Sequence, residues 1–160
     1  MARTVSPGYG SREIEAPAPK DGAAQEEGQM KPTVDVTEAN FKDVVEKDGL
    51  VLIDWWAPWC GPCRSFGPTY EKVAGRHPDV TFAKVNTEDQ QGLAGSFQIM
   101  SIPTLMILRD KIMLFSQPGA LPEAALEELI QKARDLDMDK VRAEIAAAEA
   151  EEKAKEQKSA

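Results

Sequence analysis

Large apolar residues recur with a regular period only from Thr33 onward. Residues 33–36 alternate as a short strand does, and Phe41, Val44 and Val45 then fall at helical spacing behind Thr37, a residue suited to cap a helix N-terminus. Asp48-Gly49 is a stop signal. Leu50-Val51-Leu52-Ile53-Asp54-Trp55-Trp56 is a continuous apolar run with one acid in it, the pattern of a strand covered on both faces, as in a parallel sheet. An acid in such a run calls for an explanation. Beyond Pro58, residues Phe66, Tyr70, Val73 and Ala74 keep helical spacing up to Gly75, with Pro68 inside the run predicting a kink. His77-Pro78-Asp79 then breaks it.

Residues 80–85 read as a second central strand, 88–97 as a short helix weakened by Gly92 and Gly95, 104–108 as a third strand, and 111–115 as its hairpin partner. Pro122 suits a first helical turn, and Ala125, Leu126, Leu129, Ile130, Ala133 and Leu136 lay an apolar stripe along a closing helix. From Leu50 onward the order is βαβαββα, which predicts an α/β fold of three layers, a central mixed sheet flanked by helices on both faces. Residues 31–136 are expected to form this single domain. Residues 1–30, rich in Gly, Pro, Ala and Glu, read as a disordered tail, and the change of texture at Met30 marks a candidate alternative start or cleavage point. Residues 137–160 are rich in Ala, Glu and Lys, with only Met138, Val141 and Ile145 in an apolar row. They are expected to be a helical or disordered acidic extension, too sparse for a core of its own.

Composition narrows the function classes. A chain of 160 residues with 42% hydrophobic content supports one buried core. A net charge of −8 argues against a nucleic acid partner, whose phosphates call for Lys and Arg. No stretch approaches the roughly 18 apolar residues of a membrane span. The first residues lack the apolar core of an export signal, and Glu13, Glu15, Asp21, Glu26 and Glu27 make them too acidic for a transit peptide. A soluble, monomeric, cytoplasmic protein is the expectation. The only cysteines are Cys60 and Cys63, so there is no disulfide framework, and the pair matters chemically if at all. A zinc site wants four ligands and only His77 is left to join the two, so no metal is expected. His77 itself, in a turn, reads as a solvated surface residue.

Trp59-Cys60-Gly61-Pro62-Cys63 follows directly on the apolar strand and opens a helix. Free N–H groups and the dipole at a helix start favour an anion, so the Cys60 thiol should be more acidic than a free cysteine and act as nucleophile. Cys63, three residues further round the turn, can attack the mixed disulfide that Cys60 forms with a substrate, and is the resolving thiol. Pro62 fits the first turn and stiffens it, while Gly61 leaves space for a substrate backbone.

Asp54-Trp55-Trp56-Ala57-Pro58-Trp59-Cys60-Gly61-Pro62-Cys63, then Lys84, then Ile102-Pro103-Thr104 and Gly119-Ala120 resemble, in identity and in order, the landmarks of the thioredoxin family in its bacterial form. The likeness covers about residues 33–132 and is far more specific than the cysteine pair alone. It implies a thioredoxin fold and a general protein disulfide reductase that acts in cell redox homeostasis without a bound cofactor. The partners implied are disulfide-containing substrate proteins and a thioredoxin reductase that passes electrons from NADPH. The resemblance also implies that Asp54 lies buried behind the cysteines and, through water, helps Cys63 lose its proton. Burial would raise the carboxyl toward neutrality while Lys84 pulls the other way; the plainer alternative is a structural Asp54–Lys84 pair.

Ile102-Pro103 resembles the family's cis-proline turn facing the cysteines, although sequence alone favours trans, since about 5–6% of X–Pro bonds are cis. Such a turn exposes the Ile102 backbone to an extended substrate segment. Trp59, Gly61, Pro62, Ile102, Pro103, Gly119 and Ala120 would then form an apolar docking surface, with Trp56 rather than Trp59 as a packing residue. The resemblance has departures: Trp55 stands where the family often has Phe, and Asp110-Lys111 fills a hairpin turn where Gly is commoner at the second position. An oxidase or isomerase, or a binding subunit with incidental cysteines, are the rival readings; Gly-Pro between the cysteines favours a reductase.

Overall fold

The computed structural model describes residues 31–159, so the tail expected over residues 1–30 lies outside them. The elements are β1 (Thr33–Asp35), α1 (Phe41–Val45), β2 (Leu50–Trp56), α2 (Gly61–Arg76), β3 (Thr81–Asn86), α3 (Gln91–Ser96), β4 (Thr104–Arg109), β5 (Ile112–Pro118), α4 (Glu123–Asp135) and α5 (Met138–Lys158). From β2 to α4 this is the expected βαβαββα order, with β1 and α1 in front and α5 behind. The strands form one mixed sheet in the order β1-β3-β2-β4-β5. β1 and β2 run parallel to β3, while β4 is antiparallel to both β2 and β5.

β2 is central and covered on both faces, which is why its sequence is apolar without alternation. Leu50 and Leu52 pack toward α2 and α4 with Phe66, Tyr70, Val73, Leu126 and Ile130. Val51, Ile53 and Trp55 face the other way, into a second core with Val44, Val85 and Met106 that Phe41 and Leu93 help to cover. Tyr70 is fully buried, with its hydroxyl 3.0 Å from the carbonyl of Leu52 and 2.8 Å from that of Ala83, so it ties α2 to two strands at once.

Several local expectations are corrected. Asn40, not Thr37, stands at the N-cap of α1; the Thr37 carbonyl instead accepts the Phe41 N–H. α2 ends at Arg76, one residue past Gly75, with Pro68 inside it, and α3 covers only six residues, Gly92 and Gly95 among them, of the 88–97 that the sequence suggested. Pro122 is the extended N-cap of α4 rather than its first helical residue. The Asp110-Lys111 turn takes the doubly positive geometry that Gly would favour, with φ of 48° and 72°. Asp110 offsets the strain: its side chain accepts the Gly49 N–H at 2.9 Å and its own N–H donates to the Gly49 carbonyl at 3.1 Å.

His77 is not a solvated residue. Its ring lies against Phe82 with Nε2 2.6 Å from Glu127 and Nδ1 2.9 Å from an Arg134 nitrogen. Arg134 can only donate, so Nδ1 accepts and Nε2 carries the proton given to Glu127. Arg134 also reaches Asp79, and Arg76 reaches Glu123 and Glu127, so the end of α2 is fastened to α4. At the far end of α4 the Arg109 guanidinium donates into the carbonyls of Ala133, Arg134 and Leu136 at 2.8–2.9 Å, satisfying the orphaned C-terminal acceptors.

Candidate active site

The chain leaves β2 and turns at Ala57, whose carbonyl accepts the Cys60 N–H at 3.2 Å. Cys60 is then the N-cap of α2, extended at φ −81° and ψ 114°, and its Sγ accepts the Cys63 N–H at 3.2 Å. A sulfur here meets a backbone donor at the positive end of a 16-residue helix, which stabilises a thiolate over a thiol. Pro62 occupies the first turn, where a missing N–H costs nothing. Cys60 and Cys63 are joined as a disulfide with their Cα atoms 5.3 Å apart. Both are buried in a small cluster with Ala57, against which Trp56 and Ile102 pack.

Asp54 sits on the same face of β2 as Leu52 and is 1% exposed, with no hydrogen-bond partner for either carboxyl oxygen among the described residues. Burial pushes its carboxyl up from the ordinary 3.8 to about 7, more than the nearby Lys84 charge pulls it back. Lys84 is the register partner of Asp54 across the β2–β3 pair. Its ammonium, however, lies 4.8 Å above the Trp56 ring and 3.8 Å from Glu71, so it acts on Asp54 through space rather than as a direct ion pair.

The Ile102–Pro103 bond is cis. The Ile102 carbonyl lies 3.7 Å from Cys60 Sγ, a contact that becomes an S–H···O hydrogen bond only when Cys60 is a thiol. Pro103 is itself buried and Ile102 partly so. The Pro103 carbonyl accepts the Gly119 N–H at 2.7 Å, and Gly119 reaches that position with φ +113°, which a side chain would resist. The Thr104 hydroxyl holds the Ser101 carbonyl at 2.6 Å. Gly61, Pro62 and Ala120 are exposed, and Trp59 is 68% exposed, whereas Trp56 is half-buried and Trp55 wholly enclosed.

Two residues near the site escaped the sequence reading. Glu71, on α2, lies 3.8 Å from Lys84 on β3, and no local spacing links an exposed helix acid to a lysine of a neighbouring strand. Met100, almost fully exposed beside the cis bond, carries no sequence signal, because a single apolar residue in a loop is as compatible with the surface as with the core. Among the described residues no group of three or more His, Cys, Asp or Glu side chains is arranged to hold a metal ion, and no helix is long and apolar enough to cross a membrane.

Residues 32–132 match the thioredoxin family profile. The chain is 55% identical over 122 residues to the Streptomyces coelicolor protein described as "Putative thioredoxin 2", covering 76% of this chain and 91% of that one. It is 42% identical over 99 residues to thioredoxin 1 of Synechococcus elongatus, covering 61% and 92%. Among solved structures, a single-site mutant of the thioredoxin from Halobacterium salinarum superposes with a TM-score of 0.61 at 29% identity, covering 69% of this chain and 99% of that one. Spinach chloroplast thioredoxin F gives 0.59 at 33% identity, covering 64% and 94%. With the profile spanning most of the chain and the disulfide at the start of α2, the chain belongs to the thioredoxin family and is a protein disulfide reductase whose redox-active group is the Cys60–Cys63 pair.

Proposed function

We propose that Cys60 is the attacking thiol, Cys63 the resolving thiol, Asp54 the proton acceptor and Lys84 the charge that tunes it. The Cys60 thiolate attacks one sulfur of a substrate disulfide and expels the other as a thiolate. Cys63 gives its proton to Asp54 through water and attacks Cys60 Sγ, expelling the second substrate thiolate; with that proton and one more from solvent the substrate leaves as a dithiol, and the enzyme as the Cys60–Cys63 disulfide. The observation that carries this order is Cys60 Sγ at the N-cap of α2, accepting the Cys63 N–H, with Cys63 behind it in the first turn. Trp59, Gly61, Pro62, Ile102, Pro103, Gly119 and Ala120 form the docking surface, with the Ile102 backbone pairing to an extended substrate segment. Burial of Pro103 limits its part to shaping the turn.

Two electrons and two protons return the disulfide to the dithiol, supplied by a thioredoxin reductase drawing on NADPH. A monomer working in the cytoplasm, with residues 31–136 as the catalytic domain, fits this role. Reduction of a protein disulfide should vanish in Cys60→Ser, while Cys63→Ser should accumulate a mixed disulfide visible by mass. Activity surviving Cys60→Ser would refute the assignment. Asp54→Asn should slow reduction most near pH 6–7 and least near pH 9, where Cys63 ionises unaided; a parent rate across that range would remove Asp54 from the mechanism. The midpoint potential of the pair should fall at the reducing end of the thiol–disulfide scale.

A further inference from the structure

Three stretches of chain come together at the cysteines: residues 55–63, 97–104 and 116–122. Ile102 packs on the cysteine cluster, and the Gly119 N–H is bound to the Pro103 carbonyl. None of the three contains Asp, Glu, Lys, Arg or His, in a chain with 29% charged residues and a net charge of −8. On these stretches Met100 is 91% exposed, more than any other large apolar side chain among the described residues. It stands two residues before Ile102, whose carbonyl touches Cys60 Sγ.

Met100 also borders an open surface pocket of about 140 Å³, walled by the apolar Phe97, Ile99 and Pro118 and by the uncharged polar Gln98, Ser101, Thr104 and Ser116. These walls are fixed before any ligand arrives. Phe97 is held by ring contacts to Phe41 and Trp55 at 5.1 and 5.5 Å, Thr104 and Pro118 are register partners across β4 and β5, and the Thr104 hydroxyl ties down Ser101. A space of about 150 Å³ accepts a benzene-sized group, so one Leu, Met or Phe side chain fits. Thioether side chains adapt to differently shaped apolar partners.

We propose that Met100 and this cavity form a specificity-determining subsite that takes one apolar side chain of the disulfide-bearing substrate protein, selecting substrates whose reducible cystine is flanked by apolar residues. The inference rests on the docking of substrate along Ile102 given above. The subsite is continuous with that loop, the absence of charge on all three stretches offers no partner to a charged side chain, and exposed Met100 with Phe97, Ile99 and Pro118 supplies the apolar contact.

The test uses two disulfide-bonded peptides that differ only in carrying Leu or Gln beside the cystine. The full chain should reduce the Leu peptide with about tenfold higher kcat/KM, the difference lying in KM with kcat alike, as uniform binding requires. Met100→Gln, which removes the apolar contact, and Ser116→Met, which fills the cavity from the edge strand, should each bring the ratio to within about twofold. Met100→Leu should keep it. A wild-type ratio near one overturns the proposal, as does a ratio that persists in both variants, even when both peptides slow together. Failure of the underlying mechanism reads differently: Cys60→Ser would reduce both peptides at the parent rate, which removes the docked attack and this subsite with it.

Discussion

At Asp54 two effects oppose each other, and pH separates them. In the unfolded chain the carboxyl ionises near 3.8, in the folded chain near 7, so between these values the unfolded state releases a proton that the folded state keeps. Stability therefore falls as pH rises from about 4 to about 7 and is level above, a loss of roughly 4 kcal/mol at ~1.4 kcal/mol per pH unit. Asp54→Ala should lack this fall. In urea titrations it should match or trail the parent near pH 4, where the charge is absent, and exceed it by roughly 2–4 kcal/mol near pH 8. Parallel curves for the two proteins would mean that Asp54 is not the buried titrating group. Lys84→Met should move the Asp54 carboxyl further upward, because the cation that pulls it down is gone; a carboxyl titration followed by infrared or NMR would read this, and an unmoved value would show that Lys84 is too well screened to matter. Asp54 was legible in the sequence because one acid in a run of large apolar residues is conspicuous. The environment of Lys84 was not, since Trp56 and Glu71 reach it from two other elements only after folding.

Among the elements, strands were easier to read than the contacts that fasten helices to one another. A strand buried on both faces announces itself locally, but the partners of His77 lie some fifty residues downstream on α4, and nothing in a His-Pro-Asp turn points there. His77→Leu keeps the ring's apolar contact with Phe82 and removes both hydrogen bonds, so it should destabilise the fold by about 1–2 kcal/mol; an unchanged urea midpoint would make the α2–α4 clamp ornamental. The β4–β5 hairpin shows the reverse case, in which the sequence cue was correct in place and misleading in kind. Lys111 at φ 72° is disfavoured, yet the Asp110–Gly49 hydrogen bonds hold the turn in that shape. Lys111→Gly should raise stability by up to about 1 kcal/mol, the gain from relieved strain being partly offset by the greater freedom of unfolded Gly. A loss of stability would show that the Lys111 conformation is supported by contacts beyond its backbone.

Over the whole described chain, the question is how much of the molecule the redox site needs. The two cores lie between β1 and α4, and of α5 only Met138 is buried, while Val141 is half-covered and the rest faces solvent. At 1.5 Å per residue the 21 residues of α5 span about 30 Å, so most of that helix lies beyond reach of the core. Its link to the domain is short: Asp137 caps it, Arg142 lies 3.8 Å from Asp110, and the Leu136 carbonyl just before it is held by Arg109. A chain ending at residue 142 keeps Met138, the cap and the Arg142 pair, and should match the full chain within about 0.5 kcal/mol, since only exposed surface is lost. A chain ending at residue 136 also loses the burial of Met138, and should fall by about 1.5–3 kcal/mol while reducing protein disulfides at the parent rate. The Ala, Glu and Lys content left the extension helical or disordered, and the anchoring of its first turn was not legible at all, because one buried Met and one Arg–Asp contact leave no periodic trace. If the chain ending at 142 lost activity while staying folded, the exposed part of α5 would belong to the reductase's working surface rather than stand apart from it.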